Sequence, residues 1–328
     1  MRLGLTLDQE RWPYRRPFRV SRGVEEALDV IVVTLRDGYG NRGRGEAAGV
    51  DYDGETVASL CAQLEALRPR IEAGIDRASV AALLPAGGAR NALDCALWDL
   101  EAHRQQRRAW QIAGFPDARP LVTCVTLGID SDEATAAGAR EYRDWPLLKV
   151  KVDAMRHLEV VRTVHRCAPQ AQLIIDPNQS WNCDLLNGIS AELATQGVVL
   201  IEQPVPRGAD ASLRDYRGPI RLAADESLTD RHSLEALGDI YQVVNIKLDK
   251  SGGLTEALAL AHEAVRRGLG VMVGCMAGTS LAMAPGMVVG QLATFIDLDG
   301  PLLHSADREA GIRYANGTMQ LPDSGLWG

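Results

Sequence analysis

From residue 121 onward, short and almost purely apolar runs alternate with longer segments whose apolar positions recur every three or four residues. A continuous apolar run suits a strand buried on both faces, and the longer recurrence marks a helix lying against a sheet. The pattern predicts eight strands, at residues 121–127, 147–152, 172–176, 198–201, 220–224, 242–247, 271–274 and 293–296, with helical segments such as 254–267 between them. Strict alternation of strand and helix makes neighbouring strands parallel, and eight such units close into a βα barrel.

The first part of the chain follows another rhythm. Asp29-Val-Ile-Val-Val-Thr-Leu-Arg36 reads as a strong strand, Asp37-Gly38 as a turn, and residues 43–47 as a second short strand. Residues 55–73 are amphipathic, and 89–105 place Leu93, Ala96, Leu97 and Leu100 at helical spacing. Antiparallel strands followed by helices make an α+β unit. The expected division is a capping domain over 1–118 and a barrel over 119–304. The tail 305–328, with short strands near 312–315 and 318–321, would return to complete the cap.

Composition narrows the class. The 328 residues exceed the roughly 250 of a βα barrel, which leaves room for the cap. A hydrophobic share of 46%, a charged share of 24% and a net charge of −8 describe a globular chain without a nucleic-acid or anionic-membrane surface. Residues 269–296 carry no formal charge and could span a bilayer by length. Their Gly and Ala content, Pro285 and the β-branched residues at both ends instead predict strand, loop, buried helix, strand. Residues 1–16 lack the apolar run of a secretory signal. The six cysteines lack C-x-x-C spacing, as reduced thiols in a cytoplasmic protein would. Assembly as a homo-oligomer is compatible with the sequence.

Candidate chemistry lies at the strand ends. Lys149 and Lys151 close the second strand, Asp176 the third, Glu202 the fourth, Asp225 the fifth and Lys247 the sixth. The gaps from Asp176 to Lys247 are 26, 23 and 22 residues. A strand, its crossover helix and two loops occupy about that length of chain. The charges therefore recur once per unit, at the end of the barrel where active sites are built. Taken singly, a strand-end lysine is a solvated charge and a lone aspartate a helix cap, as Asp225-Glu226-Ser227 would be. The ordered set argues for more.

Three converging carboxylates repel one another unless a cation joins them, and oxygen-only ligation with open positions suits Mg²⁺. The second and sixth strands face each other across the ring, so Lys151 and Lys247 would flank whatever that metal holds. A substrate carboxylate there would place its α-carbon between two amines. One amine could remove the α-proton and the other return a proton to the opposite face, while the cation stabilises the enediolate. A free lysine has a pKa of about 10.4, and a base working near neutrality needs about 7–8. Lys149, a like charge on the same strand face, is expected to contribute to that lowering.

These residues resemble those of the enolase superfamily, and within it the muconate-lactonizing-enzyme-like group. The matching motifs are Lys149-Val-Lys151, Asp176-Pro-Asn178, Ile201-Glu202-Gln203-Pro204, Ala224-Asp225-Glu226-Ser227 and Asn245-Ile-Lys247-Leu-Asp-Lys250-Ser-Gly-Gly253. The resemblance implies an α/β fold, a modified TIM-type (β/α)7β barrel under an N-terminal α+β cap. It implies one Mg²⁺ per subunit on Asp176, Glu202 and Asp225, Lys151 and Lys247 as the acid/base pair, and Lys149 as an auxiliary lysine. Gly274-Cys275-Met276 and Asp297-Leu-Asp299-Gly-Pro301 are similar to the dipeptide epimerases, close to those acting on L-Ala-D/L-Glu. Asp297 and Asp299 share a strand face opposite the metal arc, where a dipeptide's α-ammonium would arrive.

Two segments, 15–23 and 49–54, read as capping loops with glycines that permit movement. In the glutamate-acting epimerases an arginine of the first loop meets the substrate's side-chain carboxylate, and Arg22 is its match. Pro177 and Gly278-Thr279-Ser280 depart from the family pattern near the pocket and bear on substrate choice. The reading is a Mg²⁺-dependent dipeptide epimerase acting on the C-terminal residue, with murein peptides as its source of substrate. The rivals are an o-succinylbenzoate synthase or a cycloisomerase on the same scaffold, whose substrates lack an α-ammonium, and a non-catalytic peptide-binding barrel.

Overall fold

The computed structural model describes residues 2–20 and 23–328. Three antiparallel strands, β1 (Leu3–Val20), β2 (Gly23–Asp37) and β3 (Arg42–Ala47), form the N-terminal sheet in the order β1-β2-β3. Helices Val57–Ala73, Arg77–Leu83 and Gly88–Gln105 follow. Within the expected loop at 15–23, residues 15–20 belong instead to β1 and Gly23 to β2, at the end of a long antiparallel pair. Pairing runs from Leu3↔Asp37 to Pro13↔Ala27, shifts, and resumes from Phe18↔Glu25 to Val20↔Gly23. The Arg-Arg-Pro run that suggests a loop is absorbed as an irregularity between two paired stretches.

The long apolar run at 121–127 divides. β4 (Leu121–Val122) joins a small antiparallel sheet with β13 (Tyr314–Ala315) and β14 (Thr318–Met319). β5 (Val125–Leu127) opens the barrel. The break is at Thr123, whose N–H donates to Gly317 O at 2.8 Å, while the next N–H, of Cys124, donates to Ile296 O at 2.9 Å. The barrel continues through β6 (Leu147–Lys151), β7 (Gln172–Asp176), β8 (Val198–Glu202), β9 (Arg221–Ala224), β10 (Val243–Lys247), β11 (Gly270–Gly274) and β12 (Phe295–Ile296). All neighbours are parallel, in sequence order. The Cys124–Ile296 bond and Leu298 N–H on Thr123 Oγ1, 3.0 Å, bring the first and last strands together. Between β8 and β9 stands only the 3₁₀ turn Asp210–Asp215, and a four-residue helix, Gly300–Leu303, follows β12. The fold is a modified (β/α)7β barrel with an α+β cap. The uncharged stretch resolves into β11, the buried helix Ser280–Gly290 and β12, and no helix of the described residues is long and apolar enough to cross a membrane.

The barrel interior is layered. Cys124, Leu147, Ile174, Leu200, Ala223, Val243, Met272 and Phe295, one for each strand, pack together as an apolar floor. Two residues further along every strand, the same face carries Thr126, Lys149, Asp176, Glu202, Asp225, Asn245, Gly274 and Asp297. The apolar floor is thus followed at once by a layer dominated by charge.

The cap sheet reaches its helix through glycine. A Cβ at Gly45 would lie 2.1 Å from Ala92 O, and one at Gly43 would lie 2.2 Å from Ala96 O, so β3 touches helix Gly88–Gln105 backbone to backbone. Gly45→Ala is therefore expected to destabilise the protein by about 1–3 kcal/mol in urea denaturation. Gly38→Ala, with nothing within 4 Å of the added carbon, should be close to neutral.

Candidate active site

Lys149 is the hub of the charged layer. Its Nζ lies 2.7 Å from Glu202 Oε2, 2.8 Å from Asp297 Oδ2 and 3.2 Å from Asp176 Oδ2, and the residue is 3% exposed. Asn245 Nδ2 donates to the other Glu202 oxygen at 2.8 Å. Asp225 is held by two lysines, Lys247 at 2.7 Å on Oδ2 and Lys250 at 2.6 Å on Oδ1. Gln203 Oε1 accepts the Asp225 N–H at 2.9 Å and fixes the turn beneath it.

One further step of two residues raises Lys151 above Lys149 and Lys247 above Asn245, on the second and sixth barrel strands. Lys151 Nζ lies 3.0 Å from Asp176 Oδ2 and donates to Asn178 Oδ1 at 2.9 Å. Gly274 makes room for its neighbour, since a Cβ there would sit 2.7 Å from Asn245 Oδ1 and 3.1 Å from Lys247 Cε. Lys149, Lys151, Lys247, Asp225, Asp297 and Asp299 all line one cavity of about 720 Å³, and Tyr14, Asp51 and Tyr52 of the cap line it as well.

The electrostatics differ from the sequence expectation for Lys149. Burial works to discharge Lys149, but Asp297, Glu202 and Asp176 outweigh it and hold the ammonium well above its ordinary pKa. Its charge is matched by carboxylates. Lys247 is likewise held well above the ordinary value: burial opposes this, but Asp225 and Glu202 prevail. Glu202 is pushed up to about 8 by burial, with Asp176 and Asp225 adding to the rise. Asp225, despite burial, is held well below the usual range by Lys247 and Lys250.

Among the described residues no three acidic, histidine or cysteine side chains close around a single point. Ammonium groups stand between the carboxylates instead. The donor set still fits a hard divalent cation. It is all oxygen, it is buried, and Asp176, Glu202, Asp225, Glu226, Asp297 and Asp299 outnumber Lys149, Lys151, Lys247 and Lys250 by two charges. No donor among the described residues reaches the buried Glu226 Oε2. Asp176, Glu202 and Asp225 stand at adjacent strand ends and could hold such an ion.

Asp297 and Asp299 lie against the same cavity, but both already have partners. Asp297 takes Lys149 on Oδ2 and the Cys124 thiol on Oδ1 at 3.1 Å. Asp299 Oδ2 accepts the Thr126 N–H at 2.6 Å. Burial and the neighbouring Asp297 push Asp299 up to about 6. Arg22 lies outside the described residues. Thr279 and Ser280 do not line the cavity, which is bounded there by Cys275, Met276 and Ala277. Lys250, Asn245 and Asn178, which hold Asp225, Glu202 and Lys151, carry no role in the sequence reading. Asn245 could have been found, since it precedes Lys247 by two residues on one strand face.

Comparison with known proteins agrees with this architecture. The family model described as mandelate racemase/muconate lactonizing enzyme, N-terminal domain, matches residues 2–114, and the enolase C-terminal domain-like model matches 132–326. The chain is 40% identical to the L-Ala-D/L-Glu epimerase of Escherichia coli K12, over 95% of this chain and 98% of that one. It is 44% identical to the N-acetyl-D-glutamate racemase of a Pseudoalteromonas species, over 75% of this chain and 78% of that one. An Agrobacterium tumefaciens enolase family member with homology to dipeptide epimerases, solved with sodium and L-Ala-L-Glu, superposes with a TM-score of 0.95 at 41% identity, covering 99% of this chain and 100% of that one. A dipeptide epimerase from Methylococcus capsulatus, solved with Mg and L-Arg-D-Lys, superposes with a TM-score of 0.89 at 31% identity, covering 98% of both chains.

The crowded carboxyls set a pH dependence. Glu202 titrates at about 8 in the fold against 4.5 ordinarily, so between those values the native protein binds more protons than the unfolded chain. Stability of the metal-free protein is then present at low pH and lost as pH rises through about 8. Denaturation midpoints in chelator should fall from about pH 5 to 9, and Glu202→Gln should flatten the fall. Added Mg²⁺ should restore stability at the alkaline end with release of protons. A midpoint that holds or climbs over this range would show that the carboxyls are not in conflict.

Proposed function

The chain belongs to the mandelate racemase/muconate lactonizing enzyme family, with its enolase-like barrel, and from that premise we propose that it is a Mg²⁺-dependent dipeptide epimerase. The substrate would be L-Ala-L-Glu or L-Ala-D-Glu, inverted at the α-carbon of the C-terminal residue. The observation that carries the reading is that Lys151 and Lys247, on the second and sixth of eight barrel strands, line one cavity above a buried layer of carboxylates.

Asp176, Glu202 and Asp225 would hold the metal. When bound, Mg²⁺ would supply the positive charge that makes an enediolate accessible beside a carboxylate. The protein's own groups move the proton. Lys247 stands protonated while paired with Asp225 and is set to donate, and it becomes a base when that carboxylate is drawn elsewhere. Lys151, oriented by Asn178, takes the complementary role on the other face. Each lysine serves as base for one stereoisomer and acid for the other. We assign residues 1–118 and the tail 305–328 to the cap over the barrel 119–304, and Arg22 to the substrate's side-chain carboxylate. Breakdown of murein would supply such peptides.

A second reading is favoured by the Lys149–Asp297 ion pair of 2.8 Å. Asp297 already has its cation, so an α-ammonium is not required to complete the site. An N-acylated glutamate without that charge would fit as well, and the Pseudoalteromonas relative is named for such a substrate.

Exchange of the α-proton in D₂O, followed by NMR, tests the first reading. Lys151→Ala should abolish exchange of one stereoisomer of the C-terminal glutamate and Lys247→Ala that of the other, each by about 10²–10⁴-fold. Exchange unaltered in both variants would remove the lysines from the reaction. Asp299→Asn should lower kcat/KM for L-Ala-L-Glu by about 30- to 100-fold, the equivalent of ~2–3 kcal/mol for a hydrogen bond to a charged group. Equal loss on N-acetylglutamate would show that Asp299 does not read the ammonium.

A further inference from the structure

Behind the cavity wall formed by Cys275, Met276 and Ala277 lies a polar cluster that the reaction does not use. Glu46, at the inner end of cap strand β3, is 1% exposed. Its Oε1 accepts the Thr279 N–H at 2.7 Å, and its Oε2 is met by the Thr279 hydroxyl. Arg308 of the tail donates from Nη2 to Glu46 Oε2 at 2.6 Å and from Nε to Thr279 Oγ1 at 2.7 Å. The same guanidinium donates to Glu10 Oε2 on β1 at 2.8 Å. Two distant parts of the chain, Glu46 and an Arg308 braced by Glu10, thus grip one residue just past the seventh barrel strand.

What they grip is a backbone that would not hold itself. Ala277 has a φ of 67° and Gly278 a φ of 148°. A non-glycine residue in the left-handed region is strained and persists only where its surroundings determine it. Gly278 also has no room for a side chain, since its Cβ would fall 2.7 Å from Ala282 Cβ and 3.2 Å from Glu46 Oε1. A Cβ at Gly300 would fall 2.7 Å from Gly278 O and 2.9 Å from Gly278 N. The turn at 277–278 therefore abuts the segment Asp297-Leu-Asp299-Gly300 backbone to backbone. Any shift of one moves the other.

We propose that Glu46, Thr279 and Arg308 are positioning residues that fix the Cys275-Met276-Ala277 wall beside Asp297 and Asp299, and that this wall selects the N-terminal residue of the substrate by size. The inference rests on the dipeptide reading. The C-terminal residue, whose α-carbon lies between the lysines, is selected elsewhere.

The test is kcat/KM for a series X-Glu, with X as Ala, Val and Leu, beside a series Ala-X, in Thr279→Val, Glu46→Gln and the conservative Thr279→Ser. The preference for Ala over Leu at the N-terminal position should fall at least 10-fold in Thr279→Val and Glu46→Gln, mainly through KM. The ranking at the C-terminal position should stay, and Thr279→Ser should behave as the parent. Thr279→Val leaves the Glu46–Arg308 ion pair in place, so it keeps the test informative should Glu46→Gln fail to fold. The ¹³C-methyl resonance of Met276 should move in the two disrupting variants. An unchanged N-terminal ranking in folded Thr279→Val, or equal loss at both positions, would overturn the inference. A parent enzyme that exchanges no dipeptide α-proton would instead overturn the dipeptide reading.

Discussion

Charge placed directly on an apolar floor is the constraint from which the site follows. Eight floor residues exclude water from below, so every charged group in the next layer must find its partner beside it or above it. Lys149 meets this demand for three carboxylates at once, and Lys250 with Lys247 meets it for Asp225. The partnership remains incomplete, because the carboxyls outnumber the ammoniums. Burial, with Asp176 and Asp225 adding to it, pushes Glu202 up to about 8. A site organised in this way is built around a charge it does not itself carry.

The cap enters the site through structure as much as through its loops. Helix Gly88–Gln105 lies against the segment that follows Lys247. Arg90 Nε donates to Gly252 O at 3.0 Å, and Asp94 accepts from the Thr255 N–H at 2.9 Å and the Thr255 hydroxyl at 2.6 Å. Gly49 N–H donates to Asp249 Oδ1 at 3.0 Å, two residues beyond Lys247. On the far side, Glu46 and Arg308 hold the end of the seventh strand. The barrel carries the charged layer and the two lysines above it, and the cap helps set the backbone on which several of these groups stand.

Much of this was legible in the residues because it breaks a local rule. A lysine or carboxylate at the end of an apolar strand is an anomaly, and five strands in succession repeat it. Lys250 and Asn178 break no rule, as each is an ordinary polar residue in a loop or short helix. Only the fold brings them onto Asp225 and Lys151. The direction of Lys149's own shift was hidden for the same reason, because its three partners come from three other strands. The continuation of β1 through residues 15–20 was obscured by Arg15, Arg16 and Pro17, residue types that favour loops. Strand pairing across the irregularity settled the matter. Gly278-Thr279-Ser280 were legible as a departure from the family pattern, but whether they faced the pocket depended on Glu46, more than two hundred residues earlier in the chain.

The two-residue step that stacks floor, charged layer and lysines has a consequence for how such a chain can change over generations. Loss or gain of one residue within any barrel strand would turn that strand's inward set outward, so that Ile246 would replace Lys247 over the cavity. Length variation in descendants is thus confined to the helices and connections outside the ring, where the 3₁₀ turn at Asp210–Asp215 already stands in place of a full helix. Within the ring, inheritance can proceed only by exchange of one side chain for another.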